Sequence, residues 1–142
     1  MKKQFGFLII SAIVSLTAFA QKIDATKVPA AVKTSFAKQF PNAKAKWEIE
    51  DGKYEAGFKN GDKTMSALFS IDGTMTESEV SIKQTELPAA VLAYVKEKYK
   101  GKTIKESAKI TKANGTIVYE AEVNGKDLIF DDKGKFIKAV KA

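Results

Sequence analysis

The sequence contains no cysteine, no histidine and no arginine. Without cysteine there is no disulfide, no thiolate metal site and no cysteine nucleophile. Without histidine the chain lacks the commonest general base and metal ligand, so Ser-His-Asp catalysis, H-E-x-x-H zinc sites and histidine-ligated haem are excluded. All 24 basic residues are lysine. Arginine is the residue best suited to bidentate recognition of phosphates and guanine edges. Its absence argues against nucleic-acid readout, despite a pI near 9.4.

Only one stretch is strongly apolar. Phe5 to Ala20 follows the basic start Met1-Lys2-Lys3 and is broken only by Gly6, Ser11, Ser15 and Thr17. Ala18 and Ala20 occupy the −3 and −1 positions of an A-x-A cleavage signal. The stretch spans 16 residues, against the roughly 20 a membrane span needs. It reads as a secretory signal peptide over residues 1–20, cleaved after Ala20, with no transmembrane segment once it is gone. That implies export to the periplasm. No cysteine follows that could carry a lipid.

The mature chain then has 142 − 20 = 122 residues. Residues 21–82 hold nine lysines and nine acids, whereas residues 83–142 hold thirteen lysines and eight acids, an excess of five. Such a bias could attract an acidic envelope or secreted partner. A solvated lysine face is the blander alternative.

Within the mature chain one phrase occurs twice. Thr26-Lys27-Val28-Pro29-Ala30-Ala31-Val32 returns as Thr85-Glu86-Leu87-Pro88-Ala89-Ala90-Val91, offset by 59 positions. Proline suits a helix start because its missing N–H has no partner to lose. The threonines stand at a plausible capping position. Val28, Val32, Phe36 and Phe40 then recur every four residues, as do Leu87, Val91, Val95 and Tyr99. Each set predicts an amphipathic helix.

After each helix the period falls to two. Ala45, Trp47 and Ile49 precede Asp51-Gly52; Tyr54, Ala56 and Phe58 precede Asn60-Gly61; Met65, Ala67, Phe69 and Ile71 precede Asp72-Gly73; a fourth strand runs from Thr74 to Ile82. In the later half the turns are Asn114-Gly115, Asn124-Gly125 and Lys133-Gly134, with Ile104, Ala108, Ile110, Ile117, Tyr119, Ala121, Val123, Leu128, Phe130 and Phe136 in the strands between. Two-residue hairpin loops would set Trp47 opposite Ala56, Ala56 opposite Met65, Tyr54 opposite Ala67, and Tyr119 opposite Phe130. The fourth strand does not keep one parity, which suggests a bulge or an irregular edge.

The expected fold class is α+β: two tandem repeats, each one helix followed by a four-stranded antiparallel meander, with helices on one side of the sheet. Residues 21–83 form the first repeat and 84–142 the second. One copy alone would have a thin core, which explains the doubling.

The two [VL]-P-A-A-V openings, with Phe69-Ser70-Ile71-Asp72-Gly73 and Phe130-Asp131-Asp132-Lys133-Gly134 in the penultimate hairpins, resemble the PepSY-like, beta-lactamase-inhibitor-like family of Gram-negative periplasmic proteins. The resemblance implies helix-plus-four-strand units, a role in protein binding or inhibition of secreted hydrolases, no catalytic residues and no cofactor.

Three clusters are candidate sites. Glu48, Glu50 and Glu55 share the polar face and could bind Ca²⁺ or act as an acid/base pair, although Lys44, Lys46, Lys53 and Lys59 on that face favour a solvated surface. Leu68, Val118 and Ile129 fall on the nominally outward face and would form a partner-binding patch if they cluster. Trp47, Tyr54, Phe58, Tyr99 and Tyr119 sit at core parity, while Tyr94 lies off its helix stripe. The expected function is non-catalytic protein binding through the open sheet face, with cation binding as the competing reading.

Overall fold

The computed structural model describes residues 20–142; the expected signal peptide falls almost entirely outside them. A nine-stranded antiparallel sheet runs in sequence order. Its strands are β1 (Gln21–Ile23), β2 (Lys46–Glu50), β3 (Lys53–Asn60), β4 (Lys63–Phe69), β5 (Met75–Ser81), β6 (Ile104–Lys112), β7 (Ile117–Val123), β8 (Lys126–Asp131) and β9 (Phe136–Lys141). Helix α1 (Ala30–Gln39) precedes β2, and α2 (Ala89–Lys98) precedes β6. The strands before and after α2 pair directly, Ser78 with Thr111 and Val80 with Lys109, so the sheet is continuous across the chain's midpoint.

Both helices lie on the same face. Phe58 pairs with Met65, Met65 with Val80, Val80 with Lys109, Lys109 with Tyr119, and Tyr119 with Phe130. Directly paired residues point to the same side of a sheet. At one end of that row Phe58 packs with Val32 and Phe36 of α1; at the other Phe130 packs with Val91 and Val95 of α2. Val32, Val91, Phe69, Leu128 and Phe130 are fully buried. Tyr94 joins this core, stacked on Phe136 at 4.8 Å between centroids and edge-on to Phe130 at 5.4 Å.

The prolines begin the helices, but the threonines do not cap them. Pro29 and Pro88 occupy the N-cap positions without a side-chain hydrogen bond. Thr26 instead sits in a single 3₁₀ turn, Ala25–Lys27, where its N–H donates to the Asp24 carboxylate at 2.8 Å. The proline's fixed φ suits the boundary, and Thr26 is instead engaged by the Asp24 carboxylate.

One predicted register is corrected. Asn60 pairs with Lys63, so the turn is Gly61-Asp62, and Ala56 faces Ala67 while Tyr54 faces Phe69. Centring the turn one residue earlier had shifted every pair by two positions. The true register places tyrosine opposite phenylalanine in Tyr54–Phe69, as in Tyr119–Phe130. The Trp47–Ala56 and Tyr119–Phe130 pairings are as expected. In β5 the irregularity is a bulge: Leu68 pairs with Glu77 but Phe69 with Met75, leaving Thr76 unpaired. Ile129 with Lys138 and Phe130 with Phe136 leave Ile137 in the same position of β9. Each bulge lets the strand change parity, so Met75, Ser78 and Val80 face the helices while Glu77 and Glu79 face away.

The first strand has no counterpart in the sequence reading. Gln21–Ile23 pairs with Trp47–Ile49, and Ile23 packs against the core around Phe36. Three residues are too few to display a period.

Candidate functional site

The helix-free face carries the candidate site. Its residues are the odd partners of the core set: Glu48, Glu50 and Glu55 on β2 and β3, Ser66 and Leu68 on β4, Glu77 and Glu79 on β5, Ile110 on β6, Val118 and Glu120 on β7, and Asp127 and Ile129 on β8. A groove of about 240 Å³ crosses this face, bounded by Glu50 of β2 at one end and by Val140 and Lys141 of β9 at the other. Strands seven places apart can line one groove only if the sheet curls toward its open side, the direction that accumulated twist permits. A second hollow, of about 560 Å³, adjoins it near Ser81, Lys105 and Glu106, and Glu79 and Glu120 line both.

The groove is acidic. Glu50, Glu55, Glu77, Glu79, Glu120 and Asp127 line it, with Lys141 as its one lysine. Lys112 Nζ donates to Glu77 at 2.8 Å, and Lys105 Nζ donates to Glu122 at 3.1 Å beside it. No other carboxylate of the groove has an ion-pair partner among the described residues. Burial first, and then the charge of Glu55, pushes the Glu79 carboxyl up to about 7. Burial, followed by the charge of Glu79, pushes Glu120 up to about 8. Glu50 and Asp127 are raised too, again chiefly by burial. Removing a carboxylate from water penalises its charged form, and like-charged neighbours add to the penalty.

Of the sequence-derived candidates, Glu48 does stand opposite Glu55, and Glu50 and Glu55 line the groove, whereas Glu48 does not. Among the described residues no three carboxylates converge closely enough to hold a metal ion. Val118 and Ile129 come together, joined by Ile110 rather than by Leu68. These residues are buried and Leu68 is half-buried. They form an apolar strip within the concave face, not a protruding patch. Sequence reading missed Asp127 and the two most enclosed acids of the groove, Glu79 and Glu120. Their signal was parity: Glu120 lies between Tyr119 and Ala121, two core residues, and so had to face the other side.

The carboxylates are distributed over several strands, an arrangement suited to contacting an extended surface at several points.

A family model described as "Putative beta-lactamase-inhibitor-like, PepSY-like" matches residues 16–73 and 52–138. No curated protein matches the chain. Among solved structures, one from Bacteroides eggerthii, described as "putative periplasmic", superposes with a TM-score of 0.71 at 16% identity, covering 80% of this chain and 88% of that one. A DUF2874 family protein from Bacteroides uniformis gives 0.69 at 19% identity, covering 80% and 88%. A BLIP-like protein from Bacteroides fragilis gives 0.60 at 24% identity, covering 80% and 86%. These likenesses establish the fold.

Proposed function

The chain belongs to the beta-lactamase-inhibitor-like, PepSY-like family, and we propose that it is an exported, non-catalytic module that holds another envelope or secreted protein in the groove on the open face of its sheet. The observation that carries this reading is the asymmetry of the sheet. One face is sealed by two helices, whereas the other is curled, grooved and covered by no element among the described residues. The periplasmic description of structural neighbours supports export, as does the signal-like sequence before Gln21. Absence of histidine and cysteine supports a non-catalytic role. Inhibition of an envelope hydrolase is the narrower form of the proposal, and the BLIP-like relative is what suggests it.

Val118 and Ile129, with Ile110, contribute here as an apolar strip beneath the partner, and Leu68 as a separate half-buried contact. An acidic partner, which the lysine excess alone would suggest, is poorly matched to this face because its charge is negative. The repeat architecture belongs to the same proposal. It is supported by the recurring helix-then-four-strands order and by the bulges at Thr76 and Ile137.

The test is capture from an envelope extract by the mature protein and by Ser66→Trp. Ser66 lies mid-face between Gly57 of β3 and Glu79 of β5, so an indole there fills the groove without touching the helix-side core. Capture is expected to be lost in Ser66→Trp and kept in Ile71→Ala, a change at an exposed turn. Undiminished capture by a folded Ser66→Trp protein would sink the reading. Calcium binding through Glu48, Glu50 and Glu55 is the lesser alternative, since these residues do not converge on one point. A calorimetric Ca²⁺ isotherm abolished by Glu48→Gln would reinstate it.

A further inference from the structure

We infer that the occupant of the open face is an extended basic segment, whose lysine or arginine side chains reach Glu79 and Glu120 while its smaller side chains lie over Leu68 and Ile110. This deepens the open-face reading and rests on it. Charge segregation is the first argument. Residues 21–142 carry an excess of five lysines, by the sums 9 − 9 and 13 − 8, yet the groove is lined by six acids and one lysine. Lys46, Lys53, Lys59 and Lys112 share this sheet face but do not line the groove, and Glu50, Glu55, Glu79 and Glu120 have no ion-pair partner among the described residues.

The second argument is spatial. Glu79 is on β5 and Glu120 on β7, with β6 between them, a backbone separation of roughly 10 Å. Among the described residues no three acids are placed to hold one metal ion. Two long cationic side chains of one extended segment can reach both carboxylates, because alternate residues of a strand stand about 7 Å apart and each side chain adds reach. The third argument is the mixed lining. Leu68 of β4 and Ile110 of β6 flank Glu77 and Glu79, so the face offers apolar contact beside the charges. A flexible organic segment can use both, whereas a small inorganic cation uses only one.

Other charged groups face the same space and set the sign of any pH dependence. Glu50 and Glu55 approach from β2 and β3, Glu106 from β6, Glu122 from β7, Asp127 from β8 and Lys141 from β9. From β6, Lys112 is engaged by Glu77, and Lys105 by Glu122 of β7. Burial holds protons on Glu79 and Glu120 near neutrality. An arriving cation favours the ionised forms, so binding releases protons and strengthens as pH rises from 6 to 8.5.

The probe is a peptide of about ten residues alternating lysine and threonine, long enough at ~3.3 Å per residue to cross the groove. A glutamate–threonine peptide of the same length is the control. Calorimetry at low ionic strength, in buffers of different ionisation enthalpy, reads affinity and proton release together. The wild type is expected to bind the basic peptide and not the acidic one. Its affinity should fall at least about tenfold in Glu79→Gln/Glu120→Gln, with loss of proton release, and fall again as salt screens the charges. Equal affinity for both peptides, or an affinity indifferent to the double substitution, overturns the inference. The two readings separate through the captured envelope protein. Capture blocked by Ser66→Trp but untouched by Glu79→Gln/Glu120→Gln keeps the open-face site and removes its basic occupant; capture untouched by either removes both.

Discussion

Gly73 lies directly against the backbone of Ala31: a β-carbon on Gly73 would stand 2.6 Å from the Ala31 carbonyl oxygen. The turn before β5 is therefore seated on the first turn of α1. Gly134 repeats the contact, its missing β-carbon falling 2.9 Å from Ala90 Cβ and 3.1 Å from Pro88 Cβ. The repeated Pro-Ala-Ala-Val phrase follows from this. Proline sets the helix boundary, a small alanine admits the turn glycine, and valine fills the core.

Gly73→Ala and Gly134→Ala should each destabilise the protein by about 2 kcal/mol or more, because positive φ acts together with a collision, against the Ala31 backbone at Gly73 and against the Ala90 and Pro88 β-carbons at Gly134. The φ values are +88° and +85°. Urea denaturation measures the loss. A change under about 0.5 kcal/mol would show that the turns ride free of the helices, within the range of ordinary surface substitutions.

Phe36 is the hub of the first core, with centroids 5.6 Å from Phe40, 5.4 Å from Trp47, 5.0 Å from Phe58 and 6.4 Å from Phe69. Phe36→Ala should cost about 3–5 kcal/mol, through lost burial and the cavity left among rings that cannot all collapse inward. Ile71→Ala, at a side chain 67% exposed, should change stability by less than about 0.5 kcal/mol. Equal effects at the two positions would contradict the packing described here.

How much of this could be read from the chain alone depended on period and punctuation. Helix stripes such as Leu87–Val91–Val95–Tyr99 and alternations such as Tyr119-Glu120-Ala121 are local patterns, and they located both helices and eight strands. Asp51-Gly52 and Asn124-Gly125 fixed their hairpins because Asp51 and Asn124 themselves take positive φ, 48° and 54°, as a two-residue I′ turn requires. Asn60-Gly61 misled because asparagine-glycine is a strong turn signal and the true turn starts one residue later. The short β1 and the docking of Gly73 on Ala31 depend on contacts between segments distant in sequence. So did the candidate site. Glu48, Glu50 and Glu55 announced themselves by lying close together in the chain, whereas Glu79 and Glu120 are 41 positions apart and meet only because β5, β6 and β7 adjoin.

The enclosed acids make folding stability depend on pH with a definite sign. Glu79 and Glu120 titrate at about 7 and about 8 in the folded protein, above the ordinary glutamate value of 4.5. Below pH 4.5 folded and unfolded chains are both protonated at these positions, and the full stability is present. Between 4.5 and 8 the unfolded chain gives up protons that the folded chain retains, so stability falls as pH rises through this window. Glu50 and Asp127 are shifted in the same direction. Asp24 and Asp72 are shifted downward by the N–H and O–H groups of Thr26 and Thr74, but their contribution is lost only under acid conditions below the window. Thermal denaturation at constant ionic strength should show a midpoint higher at pH 5.5 than at pH 8.5 by roughly 5 °C or more. In Glu79→Gln/Glu120→Gln the slope should flatten, and at pH 8.5 the variant should melt above the wild type, since an amide carries no charge to hold away from water. A midpoint that climbs with pH, or a double variant that melts below the wild type at pH 8.5, would mean that the two carboxylates are compensated in the folded protein and that the face is not the unneutralised acidic groove described.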